Sequence, residues 1–447
     1  MISVIIPVKN GEQELDRCLA ALEQSDYRDW ECIVVDDGSS DGSARVAAAR
    51  GRQVIRAEGR GPAAARNRGA AQARGDLLFF VDADVCVHPD TLGRVAERFA
   101  ADPSLDALIG SYDDSPDSPD FLSQYKNLMH CFVHQSGQEA ASTFWSGCGA
   151  IRRQVFRQYS GFSEGYRRPA IEDIELGYRL TAAGRRIVLD KRLRVKHLKA
   201  WSFWRLLKTD VLDRGIPWTE LILRDANLPN DLNVQISQRI SVALVYLMLV
   251  AVGAMAVHFR GLFLVPLLLV VVVLLSAYWF HDWHASRSRV RLLAPIGLAF
   301  GASIWLAWRQ HMLALIPPLA VTLVLIYLQH RFLRAGGSSR AYSILTGLAL
   351  AGAVGYILSF MPHHPVIVLP FLALLLVLFI NSQFYVFLHE RRSFLFALAA
   401  MPFHLLYHFY NGISFCAGTV LYWSRRRSAS LPAEPADRPA GRPGPAK

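Results

Sequence analysis

The 447-residue sequence predicts two structural classes in series: an α/β domain built on a doubly wound parallel sheet, then an all-α transmembrane bundle. Three observations predict this. Over the first third of the chain, strand-length apolar runs alternate with helix-length segments. Beyond residue 233 those give way to apolar runs near 20 residues long. The arginines of that second part gather in alternate loops between the runs.

The first strand is "SVIIPV" (3–8), and "EQELDRCLAALEQ" (12–24) is a helix with Leu15, Leu19 and Leu22 on one face. "WECIVVDDGSSDGS" (30–43) is a strand that ends at Asp36 and Asp37 and passes into a Gly/Ser/Asp turn. "GSARVAAAR" (42–50) is helical and "QVIRAE" (53–58) is a short strand. "GPAAARNRGAAQARG" (61–75) is a helix with proline near its start, and "LLFFVDADV" (77–85) is a buried strand stopped by Asp82 and Asp84. Such alternation calls for a parallel sheet covered on both faces, and ligands of these sheets bind beyond the carboxyl ends of the strands. The two acid pairs therefore belong to one crevice edge.

The apolar runs are 240–257, 261–280, 292–308, 312–328, 341–360 and 365–388, six lengths suited to a hydrocarbon core. A further stretch, 394–424, carries His404, His408 and Asn411 at helical spacing, which suits a helix on the membrane surface or a polar seam within the bundle. Basic loops at 281–291, 329–340 and 389–393 alternate with near-neutral ones, so all three fall on one side, the cytoplasmic side with the N-terminal domain. The expected organisation is a cytoplasmic domain over 1–233, a transmembrane region over 234–424 and a disordered Pro/Ala-rich tail over 425–447. A chain 52% hydrophobic and 19% charged is too apolar for an ordinary soluble protein of this length. The net charge of +11 is accounted for by the basic loops, and with no nucleic-acid motif present, nucleic acid is not an expected partner. The six cysteines are scattered without a CxxC pair and suggest neither a disulfide framework nor a zinc site.

Asp82 and Asp84, two apart on a strand, should point the same way and repel unless something positive lies between them. A hard divalent cation, Mg²⁺ or Mn²⁺, shares its coordination with substrate phosphates and supplies that charge; the plainer reading is a solvated pair of turn acids. Asp37 suits hydrogen bonding to a base or a ribose, while Ser39, Ser40 and Asp41 suit capping of the next helix. Arg66 and Arg68 lie on a small-residue helix from which they can face a phosphate. Glu172, Asp173 and Glu175 open a helix, where the dipole tolerates acids and where a carboxylate can also take a proton from an acceptor hydroxyl.

"VIIPVKN", "VVDDGSSDG", "ARNRG", "FVDAD", "GCGAIRR…GFSE" and "IEDIELGYRL…G" occur in this order over about residues 1–215, and together they resemble the family-2 glycosyltransferases. The resemblance implies a Rossmann-like nucleotide-sugar transferase domain, a nucleotide-diphospho-sugar donor, a divalent metal and inversion at the anomeric carbon. By position it implies that Pro7 and Asp37 line the nucleoside pocket, with Lys9 where relatives carry a stacking aromatic and Gly11 where many carry an acid. Arg66 falls on the donor side; Asp82 and Asp84 form the DxD, with Asp84 the direct metal ligand. Asp173, next to Glu172, becomes the general base, and His197 helps hold metal or diphosphate. No QxxRW follows; that motif marks the processive branch, and Arg214 and Trp218 of "LDRGIPW" have the wrong spacing for it.

The expected function is transfer of one sugar to a lipid or lipid-linked acceptor at the inner face of a bacterial cytoplasmic membrane. The alternatives are a processive polysaccharide synthase that extrudes its product through the spans, and a transporter or scaffold with a degenerate nucleotide-binding domain. The intact acids oppose the last. The segment 191–208, with its basic residues and Trp201, Phe203 and Trp204, is expected to lie on the membrane surface.

Overall fold

The computed structural model describes residues 1–166, 168–258, 351–352, 355 and 365–430. The expected spans 261–280, 292–308, 312–328 and 341–360 and the basic loops 281–291 and 329–340 lie essentially outside those residues, as does the tail beyond Ser430.

Eight strands make one sheet: β1 (Ile2–Val8), β2 (Trp30–Asp36), β3 (Gln53–Arg56), β4 (Leu77–Val81), β5 (Val85–Val87), β6 (Ala107–Tyr112), β7 (Cys148–Arg152) and β8 (Ile187–His197). Their order is β3-β2-β1-β4-β7-β6-β8-β5. The first four run parallel, as the strand–helix alternation predicts. The far half departs from that expectation, because β7 runs antiparallel to both β4 and β6, and β5 antiparallel to β8. A parallel neighbour requires the chain to cross back to the opposite edge. After β6 the chain instead forms a helix, Phe121–Ser136, and re-enters at the carboxyl edge, so Cys148 pairs with Val81 at the end of β4. The loop before β7 is thereby delivered to the crevice.

Alternation along the strands divides the core in two. Val4, Ile6, Phe79 and Val81 pack one face against α1 (Glu12–Glu23), α2 (Ser43–Ala49) and α4 (Thr91–Ala101). Ile5, Ile33, Leu78 and Phe80 pack the other against α3 (Pro62–Gln72), α6 (Arg153–Gln158) and α7 (Glu172–Ala182). The helix Phe121–Ser136 is α5, and α8 (Phe203–Lys208) leads through a π-helical segment, Thr209–Gly215, into α9 (Ile216–Asp225).

Beyond these come α10 (Ile236–His258), α11 (Pro365–Ile380), α12 (Ser382–Arg391) and α13 (Phe394–Ser430). Among the described residues one helix, Ile236–Ala254, is long and apolar enough by itself to cross a membrane, with mean hydropathy 1.7. The run 365–388, expected as one span, is built of two helices that meet at 59°. The break falls at Asn381, whose side chain donates to the Val377 carbonyl at 2.9 Å and to Ser241 Oγ at 2.8 Å. His404 and His408 face the packed interior, with His404 Nδ1 3.1 Å from the Tyr385 hydroxyl, which is the seam alternative for this stretch. The tail expectation needs correcting at its start, since residues 425–430 continue α13.

A shared core joins the two halves. Phe121, Tyr125 and Met129 of α5 pack with Leu206, Phe384, Leu388, Ala400 and Tyr407. Beneath them Lys126 Nζ reaches Asp210 at 2.7 and 2.8 Å, and the Tyr410 hydroxyl donates to the same carboxylate at 2.5 Å. A buried cation so paired is far better placed than an orphaned one.

Candidate active site

Asp82 and Asp84 do not sit on a strand. β4 ends at Val81, and the Val85 N–H closes a turn on the Asp82 carbonyl at 3.0 Å. The turn separates the two carboxylates, and each has its own basic neighbour. Asp82 Oδ1 accepts from Arg66 Nη2 at 2.6 Å, and Asp84 Oδ2 lies 3.6 Å from His197 Nε2. The second contact follows from β5–β8 pairing, which sets Val85 opposite His197.

Arg66 is buried on α3 and divides its guanidinium between two acids, Asp82 and Glu172, the latter at 2.8 Å. Burial alone would lower its pKa, but the charges of Asp82, Glu172 and Asp173 outweigh that and hold it raised. Arg66 is thus tied between carboxylates, where the sequence suggested a side chain facing phosphate. Glu172 is nearly inaccessible; burial pushes its pKa up while Arg66 pulls it down, and Oε2 accepts from the Ala170 N–H at 3.0 Å. Asp173 is less enclosed. Its Oδ2 takes the N–H and O–H of Ser146, both at 3.0 Å, and Oδ1 takes the Ile174 N–H at 2.8 Å.

His197 donor and acceptor roles are set by its neighbours. Nδ1 is hydrogen-bonded to Asn127 Oδ1, which leaves Nε2 on the side of Asp84. The ring stacks on Tyr112 at 4.3 Å, and His130 lies parallel to the same tyrosine at 5.9 Å. Asp84 is held down at a pKa of about 2: burial opposes, but the hydrogen bond and charge of His197, with Lys199, prevail.

Arg66, Asp82, Asp84, Glu172, Asp173 and His197 line one cavity of about 250 Å³. Pro7, Lys9 and Asp37 do not line it; they lie along the same sheet edge, at the ends of β1 and β2. Asp37 Oδ2 accepts from the Gly61 N–H at 2.9 Å, with Gly61 at φ +104°, and its other oxygen is buried without a partner among the described residues. Lys9 is exposed, its ammonium close to Gly59.

The sequence reading missed Tyr112, His130, Trp145 and Ser146, which complete the wall. Tyr112 ends β6 and was reachable from the carboxyl-edge rule; Ser146 was not, because it depends on the reversed β7. Arg214 and Trp218, noted for wrong spacing, also reach the cavity, carried there by the π-helical turn. Trp201 corrects the membrane-surface expectation for 191–208. The first part of that segment, up to His197, is strand β8, and Trp201 is 6% exposed, under Lys199 at 4.6 Å and bonded through its N–H backbone group to Ser123 Oγ. Trp204, 75% exposed, keeps the surface position. Among the described residues no group of three His, Cys, Asp or Glu side chains is drawn together as a metal cluster; Asp82 is bonded to Arg66 while Asp84 faces His197.

A sheet of this order with acids gathered at its carboxyl edge places a candidate ligand site in the crevice beyond the strand ends. Residues 3–160 match the family model described as glycosyl transferase family 2. The chain is 28% identical over 252 residues to the uncharacterized protein MT1568 of Mycobacterium tuberculosis, covering 52% of this chain and 78% of that one. It is 31% identical over 165 residues to an undecaprenyl-phosphate 4-deoxy-4-formamido-L-arabinose transferase of Pseudomonas paraeruginosa, covering 35% of this chain and 48% of the relative. Among solved structures it is similar to the mannosyltransferase PcManGT of Pyrobaculum calidifontis in complex with GDP-Man and Mn²⁺. There the identity is 19% and the TM-score 0.40, over 51% of this chain and 65% of that one.

Proposed function

We propose that the chain is a metal-dependent, inverting glycosyltransferase that moves a sugar from a nucleotide-diphospho-sugar to a lipid or lipid-linked acceptor at the cytoplasmic face of a membrane. The observation that carries this reading is the cavity in which Asp84 and His197 face each other while Asp173, among the described residues, has no cation at hydrogen-bond distance. Asp84 and His197 are the residues that would hold Mg²⁺ or Mn²⁺. Two protein donors suit an ion that keeps substrate phosphates and water as its other ligands, and the Asn127 contact fixes the imidazole as such a ligand requires. When bound, the metal would offset charge on the leaving diphosphate.

The chain's own residues do the rest. Asp37, with one buried oxygen unpartnered, is available to a donor N–H or O–H of the nucleoside. Arg66 fixes Asp82 and Glu172, so that the wall beside Asp84 keeps its shape. Ser146 orients Asp173, which takes the proton of an acceptor hydroxyl as that oxygen attacks from the face opposite the diphosphate. The relative named for undecaprenyl phosphate and the apolar α10 both favour a lipid acceptor and a membrane setting. In this reading residues 1–233 are the catalytic part and 234–424 the membrane part. Arg214 and Trp218 on the cavity wall keep the processive synthase as a second reading.

The test is release of nucleoside diphosphate by the purified full chain across a panel of nucleotide sugars, with and without Mg²⁺ or Mn²⁺. Metal-dependent release, lost in Asp84→Ala, supports the proposal; equal release in excess EDTA sinks it. Asp173→Asn should retain donor binding and lose transfer to a hydroxyl acceptor by about 10²–10⁴-fold. One product of single added sugar, without a ladder, separates transfer from polymerisation.

A further inference from the structure

A second cavity, about 490 Å³, adjoins the catalytic one and shares His130, Arg214 and Trp218 with its wall. Its chemistry is different. Where the first is lined by carboxylates and imidazoles, the second is walled mainly by apolar groups from α9, α10 and α13, among them Ile222, Val242, Ala243 and Phe415. A pocket this large and apolar with a few convergent polar groups suits an organic ligand of considerable apolar surface.

Two further observations say what kind. Arg214, at the junction of the cavities, is half-buried and has no carboxylate partner among the described residues, whereas nearby Lys126 is matched by Asp210 at 2.7 Å. A guanidinium so placed is complementary to a planar or tetrahedral oxyanion. The helices that wall the cavity also present apolar side chains outward. On α10 these include Ile240, Leu247 and Val250, and on α13 Ile413, Phe415 and Val420, all more than 40% exposed. A surface of that kind is costly in water and matched in hydrocarbon.

We infer that the second cavity is a lipid-tail site: a lipid with an anionic head enters between α10 and α13, lays its chain against Ile222, Val242 and Phe415, and sets its head at Arg214. The inference rests on the glycosyltransferase reading and deepens it by giving the acceptor a place and a charge. Its head group is brought to the wall shared with the cavity that Asp173 and Asp84 line.

The experiment uses the full chain in detergent micelles with farnesyl monophosphate carrying a diazirine at the far end of its chain. Photolysis and peptide mapping should place the label on α9, α10 or α13 near Ile222, Val242 and Phe415. Unlabelled farnesyl monophosphate should compete better than farnesol or farnesoic acid if the head is a phosphate, and farnesoic acid should compete best if it is a carboxylate. Val242→Trp, which fills the cavity, should lower labelling by about tenfold, the equivalent of roughly two methylenes' burial. Ile222→Ala, which enlarges it, should keep the label, and Arg214→Gln should abolish the advantage of an acidic head. Label scattered over the outer surface, or unchanged in Val242→Trp, overturns the site, as does farnesol competing as well as both acids. Nucleotide binding measured on the same samples separates the two readings: if it persists while the cavity stays unlabelled, only the lipid site fails.

Discussion

At the scale of single residues, Arg66 carries an unusual share of the site. Its one guanidinium neutralises Asp82 and Glu172 together, and both Arg66 and Glu172 are nearly sealed from solvent. Removing one member of a buried pair strands the other, at a cost of about 3–5 kcal/mol. Arg66→Leu should therefore lower the unfolding midpoint sharply, and Arg66→Leu with Glu172→Gln should recover part of the loss; thermal melts of the two variants check this. His134 gives a second prediction at this scale. Burial, with the charge of Arg214, lowers its pKa to about 4. Below the ordinary imidazole value of about 6.5 the unfolded chain binds a proton that the folded chain refuses until about pH 4. Its contribution to stability is complete above pH 6.5 and is lost as pH falls toward 4. Melting midpoints should fall across that window, and His134→Gln should flatten the fall.

At the scale of elements, the approach of α7 to the loop ahead of β7 decides where the proposed base stands. Gly177 permits it: a Cβ there would lie 2.2 Å from the Phe144 backbone nitrogen and 2.5 Å from Thr143 Cα. Neither neighbour is a flexible side-chain end, so Gly177→Ala must push the loop and helix apart. Two residues along that loop from Phe144 is Ser146, which holds Asp173. The substitution should cost about 1–3 kcal/mol, as overpacking does, and should lower transfer more than donor binding, measured as a fall in kcat at little-changed donor KM. The π-helical segment has a comparable part on the opposite wall, where it turns Asp210 toward Lys126 and brings Arg214 to the cavity.

At the scale of the whole molecule, the core that joins α5 to α11, α12 and α13 makes the expected boundary at 233 a change of composition more than a seam in packing. Phe121 touches Phe396 and Phe403 at 4.9 and 5.4 Å between ring centres, and Arg392 donates to Gln124 Oε1 at 2.6 Å. A chain cut after residue 235 would expose Phe121, Tyr125 and Met129 and leave the buried Lys126–Asp210 pair without Tyr410. Residues 1–235 alone should be aggregated or require detergent, as size-exclusion chromatography will show; a stable, soluble and active fragment would contradict the shared core. The intact chain should remain with the membrane through alkaline carbonate extraction.

Local chemistry determined much of this protein. The strand–helix order from Ile2 to Val81, the helix at Glu172, and the acids at the strand ends were legible, because period, caps and turn residues act over a few neighbours. So was the likeness of residues 3–160 to the family model, through short motifs in a fixed order. Tertiary structure decided the pairings. Asp82 and Asp84 look alike in sequence, yet one meets Arg66 and the other His197, 113 positions further on, because a turn splits them and β5 pairs with β8. The reversed β7, the burial of Trp201 and the arrival of Arg214 at the cavity depend likewise on which segments the core brings together. Spacing along the chain carries no direct record of contacts between distant elements; they are set by packing, where burying apolar surface selects one arrangement among many that local preference allows.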